Sequence, residues 1–192
     1  MDVAAKVEEL ETTYLAVVRD WGQSIESADS YTYGHCERVA THALALSSEL
    51  GLDDFERTTI RIGAYLHDLG KVKVPHEILN KASPLTPGEF EVIKNHPGWG
   101  LELLAGIDLP WDIKPIIRSH HERYDGSGYP DGLKGDAIPL AAQIICVVDV
   151  YDALTTTRSY RPSMTKEDAV ATMEDCRHWW RPDVYRAFLR SI

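Results

Sequence analysis

Several of the eight histidines in this chain stand beside a carboxylate or another imidazole inside otherwise apolar sequence. In Ile62-Gly63-Ala64-Tyr65-Leu66-His67-Asp68-Leu69 a His-Asp pair interrupts a core-like stretch. Burying an ionised carboxylate there is costly unless a cation compensates it. The segment Leu140 to Leu154 poses the same problem, with Asp149 and Asp152 set among Ile144, Ile145, Val147, Val148, Val150 and Leu154. His120-His121 closes a helical stretch just before a glycine-rich loop, and His35 falls in the first turn of another helix. Pro97 biases His96 away from helical geometry and places it at the junction of two helices. Imidazole and carboxylate without thiolate suit iron, manganese or zinc, and an aspartate shared by two ions is the usual way to hold a two-metal hydrolytic site.

Coordination arithmetic agrees. Two six-coordinate ions need about twelve bonds; His35, His67, His96, His120, His121, a bridging Asp68, a terminal Asp149 and a bridging hydroxide supply about ten. Taken singly, each motif is weak, because a buried histidine satisfied by its neighbour or by backbone is common. Their joint appearance with Asp149 in an apolar helix outweighs that bland reading. His42, His76 and His178 read as non-ligands: His42 lies two turns from His35 on the same helix face, and the other two sit in polar surroundings.

These groups need elements to position them, and the periodicity predicts helices throughout. Val3, Val7, Leu10, Tyr14, Val17, Trp21, Ile25 and Ala28 form one apolar seam on a long first helix. That seam packs against the rest of the domain, makes a dimer contact, or belongs to a signal helix. Further helices are predicted over 33–50, ended by Gly51, and about 53–69, opened by Asp53 with Glu56 and closed by Gly70. Thr86-Pro87-Gly88-Glu89 has a capping-box pattern, and later helices run 98–105, 111–120, 139–156, 165–178 and 182–190. The expected fold is all-α. The one long irregular stretch, between His121 and Pro139, holds four glycines, and loops of this length are usually functional or mobile.

The chain's 192 residues fit one domain that needs no staples. Twenty Lys plus Arg against thirty Asp plus Glu give a net charge of −10, whose field repels long nucleic acids and anionic lipid surfaces. A phosphate-bearing ligand must therefore be captured by local positive charge. Three cysteines without C-x-x-C spacing indicate neither a disulfide framework nor a thiolate zinc site. The acidic start is unlike a secretory signal, and the longest apolar stretch is too short and too charged to span a bilayer. A cytoplasmic protein without membrane insertion is expected.

His35-Cys36-Glu37-Arg38-Val39, His67-Asp68-Leu69-Gly70-Lys71, His96-Pro97, His120-His121-Glu122, Asp125-Gly126-Ser127-Gly128-Tyr129-Pro130 and Asp149-Val150-Tyr151-Asp152-Ala153-Leu154 together resemble the HD-GYP domain. That family is the cyclic di-GMP phosphodiesterase branch of the HD metal-dependent phosphohydrolases. The match runs from about residue 29 to residue 190, dividing the chain into an N-terminal helix, 1–28, and an HD-GYP domain, 29–192. The resemblance implies an all-helical HD-type bundle with a glycine-rich GYP loop and a metal centre, usually iron or manganese, on the seven residues above. It places Lys71, Tyr129, Arg158 and Arg161 near the substrate, and Asp68 and Lys71 in catalysis. Asp152 is expected to support its neighbours by pairing rather than to bind metal, and Glu122 to stand behind the ligands likewise. From the residues alone, Lys71 next to a cation cluster requires an anion between them. Otherwise it is an exposed lysine near a helix end, and Arg158 and Arg161 pair with Asp152, Glu122 or a helix end.

The sequence departs from the family pattern in three places. Members with a third ion carry a glutamate where this chain has Tyr31, so two divalent ions are expected. Phe-Asp-Pro reads Trp180-Arg181-Pro182, which should alter packing of the last helix, and Cys36 replaces a common serine as a small buried residue. The expected activity is hydrolysis of cyclic di-GMP to linear pGpG and on to GMP, with no side chain assigned as proton donor to the leaving oxygen. The alternatives are the same chemistry on cyclic GMP-AMP or a mononucleotide, or a cyclic dinucleotide receptor whose GYP loop docks a partner such as a diguanylate cyclase.

Overall fold

The computed structural model describes residues 3–28, 34–81, 83–157 and 162–192, with residues 3–11 and 27–28 described by backbone alone. Tyr31, Arg158 and Arg161 therefore lie outside the described residues, as do the side chains of Val3, Val7, Leu10 and Ala28. Every regular element among the described residues is helical: α1 (Val3–Ala28), α2 (His35–Glu49), α3 (Asp54–Leu66), α4 (His76–Leu79), α5 (Pro87–Ile93), α6 (His96–Leu103), α7 (Lys114–Ser119), α8 (Leu140–Thr155), α9 (Lys166–Asp175) and α10 (Pro182–Ser191). Tight 3-10 turns occupy Leu69–Lys73, Gly135–Ala137 and Arg177–Trp179. No helix among the described residues is long and apolar enough to cross a membrane.

The core forms where α2 meets α3, α8 and α10, with α1 laid against α2 and α3 and α7 against α3 and α8. Val39, Ala43, Leu46, Ile62, Leu66, Ile117, Ile144, Val148 and Phe188 are inaccessible to solvent there or nearly so. α8 is apolar around most of its circumference, as a helix with neighbours on several sides must be. Its two aspartates are thus carried into the interior by the surrounding Ile and Val. Capping fixes where several helices start. Asp53 and Glu56 exchange hydrogen bonds with each other's backbone N–H, as do Thr86 and Glu89, and the Thr165 hydroxyl accepts from Asp168 N–H.

Some boundaries move. The helix expected to reach Leu69 ends at Leu66, and the chain tightens into the 3-10 turn Leu69–Lys73. The tighter turn lets Lys71 fold back on Asp68 and lays Gly70 against the start of α6. Gly70 is therefore not a left-handed helix terminator: a Cβ there would collide with the His96 carbonyl, so the residue is glycine because two backbones touch. α6 begins at His96, with Pro97 inside its first turn, so His96 is at the expected junction but already helical. The predicted 111–120 and 165–178 helices shorten to Lys114–Ser119 and Lys166–Asp175, each flanked by irregular or 3-10 backbone. The single turn α4 was not anticipated, being too short to show a period.

The seam on α1 is also corrected. Val18, Gly22, Ile25 and Glu26 face the bundle, while Val17 and Trp21 are exposed. Ile25 of the predicted seam is buried as expected, but before it the side of α1 that meets α2 and α3 carries Val18 and Gly22 in place of Val17 and Trp21. Trp180 is buried with its indole N–H on the Met173 carbonyl, and Cys36 is the small buried residue expected.

Candidate metal centre

His67, His96 and His120 follow one local pattern. Each ring turns its Nδ1 onto a carbonyl three residues upstream: His67 to Ala64 at 2.7 Å, His96 to Ile93 at 2.8 Å and His120 to Ile117 at 3.0 Å. A carbonyl can only accept, so Nδ1 carries the proton and donates. In the neutral ring the lone pair is then on Nε2. His35 comes from the first turn of α2 and its Nδ1 lies 2.7 Å from the Asp152 carboxylate. All four Nε2 atoms point inward. His35 Nε2 is 3.4 Å from His67 Nε2, and His96 Nε2 is 3.1 Å from His120 Nε2.

Asp68 lies between the two pairs. Its Oδ2 is 3.4 Å from His67 Nε2, and its Oδ1 is 3.4 Å from His96 Nε2 and 3.9 Å from His120 Nε2. Oδ1 is buried and has no hydrogen-bond partner among the described residues. The donor atoms fall into two groups, each with members within 4.8 Å of one another: Asp68 with His96, His120 and His121, and Asp68 with His35 and His67. Asp149 Oδ1 joins the second side, 3.3 Å from His35 Nε2. Lone pairs facing lone pairs cannot satisfy one another, and leaving buried polar atoms unpaired is costly. A divalent cation on each side of Asp68 resolves this, so the residues present fit a two-ion centre.

The electrostatics differ between the two sides. Burial keeps His96 and His121 neutral, lowering them to about 4 and about 3, and pushes His120 well below its ordinary value. His35 is raised: burial opposes its charge, but the hydrogen bond to Asp152 and the charges of Asp149 and Asp68 outweigh it. Burial also disfavours the Asp68 carboxylate, yet the Lys71 ammonium beside it holds its pKa well below the ordinary value. Lys71 Nζ sits 2.6 Å from Asp68 Oδ2. The anion that Lys71 requires beside it is therefore Asp68 itself.

Behind this layer, Asp152 accepts from His35 and from Arg38, whose Nε is 2.6 Å from Oδ1 and whose Nη2 is 3.1 Å from Oδ2. Glu122 turns to the loop, accepting from the Asp131 and Leu133 backbone N–H at 2.7 and 3.0 Å. The loop is thus tied down from beneath. Tyr129 stacks on His121 with ring centroids 4.7 Å apart. Phe90 meets Tyr129 edge-on, and the Lys94 ammonium lies 5.8 Å from its ring centroid. His42, His76 and His178 belong to neither donor group; His42 packs edge-on against Tyr151.

Sequence reasoning gave no role to Arg38, Phe90 or Lys94. Arg38 was discoverable, three residues after His35 and so on the same helical face. Nothing in the spacing marks Phe90 and Lys94, because Tyr129 reaches them from another part of the chain.

A helical bundle that converges imidazoles on a shared, buried aspartate defines an HD-type metal-binding domain. The HD domain family profile matches residues 22–184, and the chain belongs to that family. Its GYP loop and His-His pair place it in the HD-GYP branch. The cyclic di-GMP phosphodiesterase response regulator RpfG of Xanthomonas campestris pv. campestris is 41% identical over 169 residues, covering 87% of this chain and 45% of the relative. The 3'3'-cGAMP-specific phosphodiesterase 3 of Vibrio cholerae is 35% identical over 170 residues, covering 88% and 37%. The chain thus spans less than half the length of these curated relatives. The solved structure of Bd1817, an HDG"Y"P protein from Bdellovibrio bacteriovorus, has the same fold at a TM-score of 0.65 and 24% identity, covering 80% of this chain and 50% of that one.

Proposed function

We propose that this domain hydrolyses a 3′–5′ phosphodiester bond of cyclic di-GMP to linear pGpG, and by a second cut to GMP. Two divalent ions, iron or manganese, are held by His35, His67, His96, His120, His121, Asp149 and a shared Asp68. The observation that carries the metal assignment is the pair of Nε2 atoms of His96 and His120, each left without a proton by Nδ1 donation to a carbonyl, facing the orphaned oxygen of Asp68. The substrate assignment is supported by the name of a relative 41% identical over most of this chain.

When bound, the ions supply a water acidified for attack on phosphorus and positive charge facing the phosphoryl oxygens. The chain's own residues do the rest. Asp68 keeps the two halves of the centre in register. Lys71, at the edge of the cluster, offers its ammonium to the charge that develops on phosphoryl oxygen. Tyr129 is held against His121 at the mouth, and its phenol, raised far above its ordinary value by burial, remains an O–H donor. Arg158 and Arg161 grip phosphate from the segment after α8, a role resting on the resemblance. Asp152 aims His35, and Glu122 holds the loop that carries Tyr129. The chain divides into the N-terminal helix 1–28, packed on the bundle, and the domain 29–192; the outward Val17 and Trp21 of that helix offer a dimer contact, and the GYP loop a docking face for a diguanylate cyclase. We place the protein in the cytoplasm.

A second reading, cleavage of 3′3′-cyclic GMP-AMP, is favoured by the relative 35% identical that carries that specificity in its name. Anaerobically prepared protein loaded with iron or manganese is incubated with each dinucleotide, and the products are separated by chromatography. Linear pGpG from cyclic di-GMP supports the first reading. Product from cyclic GMP-AMP alone supports the second, and binding of either without product makes the domain a receptor.

A further inference from the structure

We infer that Glu26, on α1, is a positioning residue for His35: its buried carboxylate holds the first turn of α2 where His35 reaches the metal centre. The inference rests on the metal-centre reading above and extends it to a helix that contributes no ligand.

The first N–H groups of a helix have no partner within it. Usually the side chain of the N-cap residue accepts one of them. The N-cap of α2 is Gly34, in left-handed backbone at φ 73 and without a side chain, so the cap must come from elsewhere. Glu26 supplies it with both oxygens. Gly34 N–H donates to Oε2 at 2.8 Å and Cys36 N–H donates to Oε1 in a short hydrogen bond. Glu26 is only 6% exposed, and its charge lies at the positive end of the α2 dipole.

His35 is the residue between those two anchored amides. Its ring is held separately, through Nδ1 and Asp152. One tether therefore fixes the backbone from which the ligand springs and the other fixes the ring. One turn before Glu26, Gly22 brings α1 close: a Cβ there would lie 3.0 Å from the Tyr65 carbonyl and 3.6 Å from Cys36 Cβ. α1 has another link to α2, Arg19 to Glu37 at 2.9 Å, but both of those side chains are about half exposed and such pairs contribute little. The buried link is Glu26.

The two halves of the centre should respond differently. The His35, His67 and Asp149 side depends on the first turn of α2. The side built from His96, His120 and His121 comes from α6 and the end of α7, and does not.

Wild type, Glu26→Ala, Glu26→Gln and the exposed α1 control Gln23→Ala are purified anaerobically as the full chain. Each is titrated with manganese(II), reading stoichiometry by elemental analysis and the coupled or isolated state of the ions by electron paramagnetic resonance. Far-UV circular dichroism and melting of the metal-free forms report folding independently. Glu26→Ala should keep one ion and bind the other about 10- to 100-fold more weakly, replacing the coupled-pair spectrum by that of a lone ion. Glu26→Gln, which keeps an acceptor and the side-chain shape, should fall between, and should still report should Glu26→Ala fail to fold. Gln23→Ala should match wild type. Both ions bound at wild-type affinity in both Glu26 variants would overturn the inference, as would parallel weakening of both ions. A wild type that takes up no manganese would overturn the metal reading itself, and this inference with it.

Discussion

At Asp68 two demands meet: a lysine ammonium 2.6 Å from one carboxylate oxygen, and imidazole lone pairs facing the other. Because both donor groups contain Asp68, Asp68→Ala should empty both halves together, with elemental analysis reporting loss of both ions and chromatography reporting loss of product. A variant that kept either ion would contradict the shared role. Lys71→Met removes charge from the edge of the centre without removing a ligand. It should lower kcat on the order of a hundredfold while leaving the metal content unchanged. Asp152 shows how the support behind the ligands affects stability. Burial disfavours its charge, but the hydrogen bonds from His35 and Arg38 prevail and hold its pKa at about 2, against an ordinary 3.8. The folded state thus binds the proton less readily than the unfolded chain. The stabilisation, roughly 2 kcal/mol, is present above about pH 4 and lost as the pH falls towards 2. Urea melts of the metal-free protein should show this acid loss, and Asp152→Asn should lower stability at pH 7 and flatten that limb. Of the residues the fold brings together, His67, Asp68 and Asp149 were legible in the sequence as ionisable intruders in apolar runs, and His120-His121 as an adjacent pair at a helix end. Arg38 was readable only as a neighbour of His35 on one helical face; its partner Asp152 is 114 residues away, and only the fold brings the two together.

Elements set which of these residues can meet. The 3-10 turn after α3 carries Asp68, Gly70 and Lys71, and its seat against α6 leaves no room for a methyl group at Gly70. Gly70→Ala should push α6, and His96 with it, away from Asp68. We expect a loss of about 1–3 kcal/mol, read as a lower melting temperature together with weakened metal binding; an unchanged centre would show that the two backbones separate freely. Helix starts were legible wherever a side chain closes them, as at Asp53-Glu56 and Thr86-Glu89, because capping is a local bond between residues three apart. Helix ends were less so. The stop at Leu66 answers to α6, a tertiary neighbour, and no local signal anticipates it. On α1 Val17 and Trp21 stand one residue before Val18 and Gly22, and choosing the buried pair, Val18 and Gly22, required knowing which side of the helix meets α2 and α3.

Over the whole molecule, a net charge of −10 would oppose the anionic dinucleotide proposed as substrate, so its capture would rest on local charge at Lys71, Arg158, Arg161 and the ions of the proposed centre. The buried lone pairs make the centre a burden on the fold when it is empty. Metal bound at 100 times its dissociation constant would contribute about 2.7 kcal/mol per site, and for a domain of this size each kcal/mol moves the melting temperature by about 2–4 °C. Chelation of both ions should therefore lower the melting temperature by roughly 10–20 °C, read by calorimetry before and after treatment; an unchanged value would mean that the histidines are content among themselves.

His67, His96 and His120 are each aimed by a carbonyl three residues upstream, that of His96 at the end of α5, whereas His35 is aimed by α8 and anchored by α1. Local aim survives loosening of the bundle; borrowed aim does not. On gentle warming the domain should thus pass through a half-demetallated form, still helical and already inactive. Heat inactivation would then precede unfolding, and cooling in fresh metal would restore the enzyme.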